Sequence, residues 1–187
     1  VFGRRVTFGD KPAVQSVIRD ITERKRSERS QAAIYRIADA SARASSLSDL
    51  LESVHAAVGD LMDARNFFIA LKDATGVNFS FPYYRDEAYP EVASVPIEST
   101  FSGHVLKDEV PVLINRDGID ALRVQGIPAM GPSAVSWIGV PLLLRGSSFG
   151  ILVVQSYRED VRYTEADRDL LSYVSHHIAE AIDRQSK

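Results

Sequence analysis

Four histidines, His55, His104, His176 and His177, are the side chains best equipped for chemistry, and the sequence holds no cysteine to accompany them. Without a thiol there is no disulfide, thiolate metal ligand, thiol nucleophile or cofactor attached through sulfur. A helical imidazole metal site needs histidines at i, i+4 or a carboxylate in a recognisable motif, and neither is present. His176 and His177 are adjacent, so on a helix they point about 100° apart. No metal and no cofactor are expected, and each histidine reads better as a surface or core residue. No nucleophile–base pair or paired carboxylate is visible either, so no catalytic residue is assigned and the chain is read as a non-enzyme.

Two other stretches invite a chemical reading and lose it. "RGSSFG" (145–150) sets two glycines among small residues. It lacks the lysine and helix of a phosphate-cradling loop and lies between two strand-like runs, which makes it a hairpin turn. "RDITERKRSER" (19–29) is rich in basic residues, but acidic ones are interleaved and aromatics are absent. With a net charge of −3, the chain has no basic field to attract nucleic acid or an anionic membrane. No apolar run approaches the roughly 20 residues that span a bilayer, so a cytoplasmic setting is expected.

The elements that would position these residues follow from periodicity. Residues 1–20 read as a hairpin, with "RRVTF" and "AVQSVI" as strands around "GDKP". Asp20 and Glu23 have capping-box spacing and open a helix. Asp20 with Arg24, and Glu23 with Arg26, are spaced to pair along it. Thr22 to Gln31 is polar all round, as in a solvated bridge between domains. An apolar stripe then starts at Ala33, Ile34 and Ile37. Leu47, Leu50, Leu51, Val54 and Val58 give the strongest helical period in the chain. "NFFIALKD" (66–73) is a strand with Phe67, Ile69 and Leu71 on one face and Phe68 and Ala70 on the other. "VNFSFPYY" follows, then a short helix near "STFSGHVLKDE", a strand "VPVLI" and a helix at "GIDALRVQ"; "GIPAMGPS" is a loop. "AVSWIGVPLLL" and "FGILVVQSY" are apolar on both faces, hence central strands covered on both sides. The last helix opens with Thr164 and Asp167 at capping-box spacing.

Together "NFFIALKD", "FSGHVLKDEVPVLI", "WIGVPLLLRGSSFGILVVQSY" and "YTEADRDLLSYVSHHIAEAI" resemble a GAF domain, in which these motifs occur in this order. "GDKPAVQSVIRDITERKRSE" resembles the closing strands and exit of a PAS domain. The resemblance implies an α+β fold with a GAF-like central antiparallel sheet of about six strands. Helices from both termini would pack on one face, and a helix and loop region on the other would form a small-molecule pocket. The expected organisation is a PAS remnant hairpin (1–20), a connecting signalling helix (21–44) and a GAF domain (45–187) whose first helix starts near residue 32.

What the resemblance implies about function is a sensory module of a bacterial signalling protein. A histidine kinase, diguanylate cyclase or phosphodiesterase would be the output domain on the same polypeptide. A homodimer through the terminal helices would carry the signal, with Ile34, Ile37, Ser41, Leu171, Val174, Ile178 and Ile182 available for the seam. The alternative is a receptor for a specific nucleotide, haem or aromatic metabolite, whose ligand orders the loop "GIPAMGPSAV". Phe68, Tyr83, Tyr84, Phe101, His104 and Trp137 are the candidate pocket residues. Chemistry known for other GAF relatives fits poorly. Bilin attachment and methionine sulfoxide reduction both need cysteine. For cyclic nucleotides Tyr163 and Asp167 echo one family motif, but Arg168 stands where the family has Glu, and no Asn-Lys pair exists. The orphan hairpin is expected to be sheltered at Val14 and Ile18 by a GAF surface or another chain.

Overall fold

The computed structural model describes residues 2–8, 11–17, 20–127 and 134–185. The N-terminal strands β1 (Phe2–Phe8) and β2 (Lys11–Val17) pair antiparallel as a two-stranded sheet of their own. The expected shelter over Val14 and Ile18 lies outside what is described. Helix α1 (Thr22–Arg43) follows, then α2 (Leu47–Gly59) and strands β3 (Asn66–Lys72), β4 (Asn78–Arg85) and β5 (Val95–Pro96). Next come α3 (Phe101–Asp108), β6 (Val112–Asn115), α4 (Arg116–Val124), β7 (Ser136–Leu144), β8 (Ser147–Ser156) and α5 (Glu165–Gln185). The second sheet has six strands in the order β5-β4-β3-β8-β7-β6, every neighbour antiparallel. This is the expected α+β architecture.

The period of two along each strand divides the sheet into two buried faces. Phe67, Ile69, Ile138, Val140, Leu142, Leu152 and Val154 face one way and pack with Leu50, Leu51, Val54, Leu171, Val174 and Ile178 of α2 and α5. Ile37 of α1 joins the same cluster. Ala70, Phe79, Trp137, Ile151 and Val153 face the other way, against Val105 and Leu106 of α3 and Ile119 of α4. The central strands β7 and β8 are thus covered on both sides, which is why their sequences lack polar alternation. Their connection at Arg145 and Gly146 has φ of 53° and 80°. Two positive φ values in succession are the mark of a type I′ hairpin turn, so "RGSSFG" is a turn.

Two local expectations are corrected. Asp20 does not cap α1: its Oδ1 accepts from the Thr22 N–H at 2.9 Å, an Asx turn one step earlier, and Ile21 is the unassisted N-cap. Arg24 pairs with Glu28 at 2.8 Å, four residues on, and not with Asp20. The box at α5 does form. The Thr164 N–H donates to Asp167 Oδ2 at 2.7 Å, and the Asp167 N–H donates to Thr164 Oγ1 at 3.3 Å.

Candidate ligand pocket

A cavity of about 350 Å³ opens on the sheet face away from α1, α2 and α5. Its floor is Phe68 of β3, Phe81 and Tyr84 of β4, and Trp137 of β7, with Phe101 of α3 and Tyr89 on the walls. The Phe68, Phe81 and Tyr84 rings meet pairwise at centroid distances of 5.6–5.9 Å. The Trp137 ring lies over Gly139, whose missing side chain leaves it room: a Cβ there would come within 2.1 Å of the indole. Phe101 packs on that indole at 4.6 Å. Such volume and largely aromatic lining suit a small organic ligand.

The polar end of the cavity is a closed network. Asp86, 8 % exposed, accepts at Oδ1 from the Ala88 and Tyr89 N–H groups at 2.9 and 3.0 Å. At Oδ2 it accepts from Gln155 Nε2 at 2.7 Å and from the Tyr157 hydroxyl at 2.9 Å. Gln155 Nε2 also donates to the Tyr157 oxygen at 2.9 Å. Buried Asn66 sets the start of this loop, since its Oδ1 accepts from the Glu87 N–H at 2.7 Å while its Nδ2 donates to the Gln155 carbonyl. Burial, and secondarily the Asp86 charge, push the Tyr157 phenol well above its ordinary value. The same two causes push Tyr84 up to about 12, so both phenols stay protonated donors.

Of the candidate pocket residues, Phe68, Tyr84, Phe101 and Trp137 line this cavity. Tyr83 does not. The β3–β4 register pairs Ile69 with Tyr83 but Leu71 with Ser80, so β4 carries an extra residue at Phe81–Pro82. Proline, which has no N–H to give the ladder, suits that bulge. It turns Tyr83 onto the helix face, where its ring meets Phe67 edge-on at 5.7 Å and its hydroxyl meets His55 Nδ1 at 2.8 Å. His104 is also misplaced by the sequence reading: it sits on the exposed side of α3, while Val105 and Leu106 turn inward. Asp86, Gln155, Tyr157 and Tyr89 were missed. Gln155 alone had a signal, as the polar residue that follows Val153 on the cavity side of β8.

Five of the seven seam candidates are buried inside the chain itself. Ile37, Leu171, Val174 and Ile178 are fully buried in the chain's own core, and Ile182 nearly so. A stripe that packs on its own sheet has the same period as one that packs on a partner, and here the sheet takes it. Ile34 is half-buried, and Ser41 accepts through Oγ and its carbonyl from Arg184, tying the end of α1 to α5.

His55 and the residues of the motif echo have structural roles. His55 Nε2 lies 2.6 Å from the Ala64 carbonyl, which can only accept, so Nε2 carries the proton and Nδ1 accepts from Tyr83. Tyr163 is buried and donates its hydroxyl to the Asp63 carbonyl at 2.6 Å. Asp167 caps α5. Among the described residues no three potential metal ligands cluster, and no helix is long and apolar enough to cross a membrane.

Known structures share this architecture at low identity. The GAF domain of a phosphoenolpyruvate-protein phosphotransferase from Coxiella burnetii superposes with TM-score 0.71 at 14 % identity, over 85 % of this chain and 95 % of that one. The free methionine-R-sulfoxide reductase of Neisseria meningitidis, solved with its substrate, gives TM-score 0.68 at 17 % identity, over 84 % and 92 %. A segment of a methyl-accepting chemotaxis protein gives 0.61 at 15 %, over 85 % and 95 %. No curated protein matches the sequence. The GAF domain family profile matches residues 44–183, three-quarters of the chain, and the chain belongs to the GAF domain family.

Proposed function

We propose that this chain is a regulatory GAF module that binds a small, ring-bearing molecule in its aromatic cavity and carries the effect outward through α1 and α5. The observation that carries this reading is the cavity of about 350 Å³, roofed by α3 and α4 and floored by aromatic rings. GAF-fold relatives include a segment of a chemotaxis protein, consistent with a signalling role. They also include a reductase, but a cysteine-dependent reduction has no thiol to use here. The reading is therefore non-enzymatic. An output domain on the same polypeptide, a preceding PAS domain closed by β1 and β2, and a homodimer through the terminal helices complete it. Of the loop Gly126–Val135 that a ligand would order, residues 128–133 lie outside those described.

Thermal-shift screening against neutral aromatic metabolites, nucleotides and haem tests the proposal. Saturating ligand raises the melting temperature in proportion to RT ln(1 + [L]/Kd), so a binder among the neutral aromatics is expected to stand out. A melting temperature constant across that panel would overturn it.

A further inference from the structure

The polar end of the cavity has a fixed sense. The Gln155 amide nitrogen donates to both Asp86 Oδ2 and the Tyr157 oxygen. Asp86 cannot release it, because its other oxygen already accepts from two backbone N–H groups and all its partners are donors. If the amide turned over, its carbonyl would face a carboxylate oxygen, two acceptors in contact. Gln155 Oε1 is therefore held away from the network, and it accepts no hydrogen bond from the described residues. Gln155 is only half-buried and lines the cavity.

Charge acts in the same direction. Glu91 stands at the rim, Asp86 lies behind Gln155, and no lysine or arginine lines the cavity among the described residues. An anionic ligand would meet two carboxylates and no cation.

We infer that Gln155, oriented by Asp86, is the specificity-determining residue of this cavity, and that it selects a ring-bearing ligand presenting an N–H or O–H donor and no anionic group. This rests on the reading of the cavity as a ligand site. A ligand without the donor would leave Oε1 dry and unpaired, while an anionic one would lie against like charge. Asp86 acts here as a positioning residue, since it reaches the ligand only through the amide it orients.

Four probes separate the possibilities: indole, 1-methylindole, quinoline and indole-3-acetate, titrated by calorimetry at pH 8 against the whole chain. Indole offers an N–H; 1-methylindole has lost it; quinoline offers only an acceptor; indole-3-acetate keeps the N–H but adds a charge. Indole should bind roughly tenfold or more tightly than any of the other three. Equal binding of 1-methylindole or quinoline would overturn the inference and leave the cavity as a ligand site. Equal binding of indole-3-acetate would overturn its charge part. Failure of all four at millimolar concentration would overturn it together with the aromatic-ligand reading. Asp86→Asn supplies a second readout. The Asn oxygen would keep the two backbone N–H groups, and its NH2 would face Gln155. The Gln155 amide would then turn over and present its own NH2 to the cavity. Quinoline should gain on indole in that variant, and an unchanged ranking would overturn the positioning role of Asp86.

Discussion

His55 is the clearest case of a side chain whose surroundings decide its chemistry. Its ring stacks on Phe67 at 4.6 Å, and both nitrogens are engaged, by Tyr83 and by the Ala64 carbonyl. Burial pushes its imidazole below the ordinary value of 6.5, with the Arg85 charge adding to the effect. A depressed histidine folds as the neutral form. Its contribution is thus fully present above the unfolded value and is lost as pH falls toward the lower folded one. Urea midpoints should accordingly drop between pH 7 and pH 5. His177 is depressed in the same direction by burial, so the wild type will not report His55 alone. The difference between wild type and His55→Phe isolates it. That variant should show a flatter pH profile and lose about 1–3 kcal/mol at pH 8, because Ala64 and Tyr83 are left without partners. An identical profile in both would remove His55 from the account.

At the scale of elements, strand β7 and helix α5 carry the sharpest expectations. Gly139→Ala would drive a methyl into the indole of Trp137, which must leave its place beside Phe101. Trp137 is the one tryptophan of the chain, so its emission reports the change without a label. We expect a red shift and a loss of about 1–3 kcal/mol, measured by fluorescence and denaturant titration. Thr164→Ala removes one arm of the α5 capping box and should cost about 1 kcal/mol by the same titration. The α5 box was legible at its spacing, while the same spacing at Asp20 misled. Asp20 had Thr22 nearer to hand, and an Asx turn satisfied the carboxylate before a helical one could. Strands and helices were legible wherever period two or 3.6 ran unbroken, as in β3, β8 and α2. The bulge in β4 was not, because adding a residue to one strand changes the face of every later side chain without altering composition. Tyr83 was lost from the pocket for that reason. Asp86 was missed because its role depends on Gln155 and Tyr157, some 70 positions away.

For the whole molecule, the terminal helices are two-sided. Ile37 and Leu171 are spent on the chain's own core, whereas Tyr35 on the outer side of α1 is 71 % exposed and Tyr173 of α5 is exposed as well. If α1 and α5 pair between copies as proposed, Tyr35→Glu should weaken the dimer in sedimentation velocity and leave the monomer's melting temperature unchanged. Ile37→Asp should instead unfold the chain, since it buries a charge without a partner. A wild type that sediments as a monomer at micromolar concentration would remove the dimer from the proposal.

Tyr83 and Tyr84 are consecutive and so lie on opposite faces of the sheet, and the extra residue at Phe81–Pro82 decides which of them meets the cavity. One ring touches the cavity and the other touches His55 on α2. A single peptide plane joins them, so it works like the pivot of a rocker. A twist of that plane that tilts Tyr84 away from an occupant must also tilt Tyr83 against the helix layer. The sheet that separates cavity from helices is one peptide thick there, as it is at Phe67 and Phe68, where one ring stacks on His55 and the next floors the cavity.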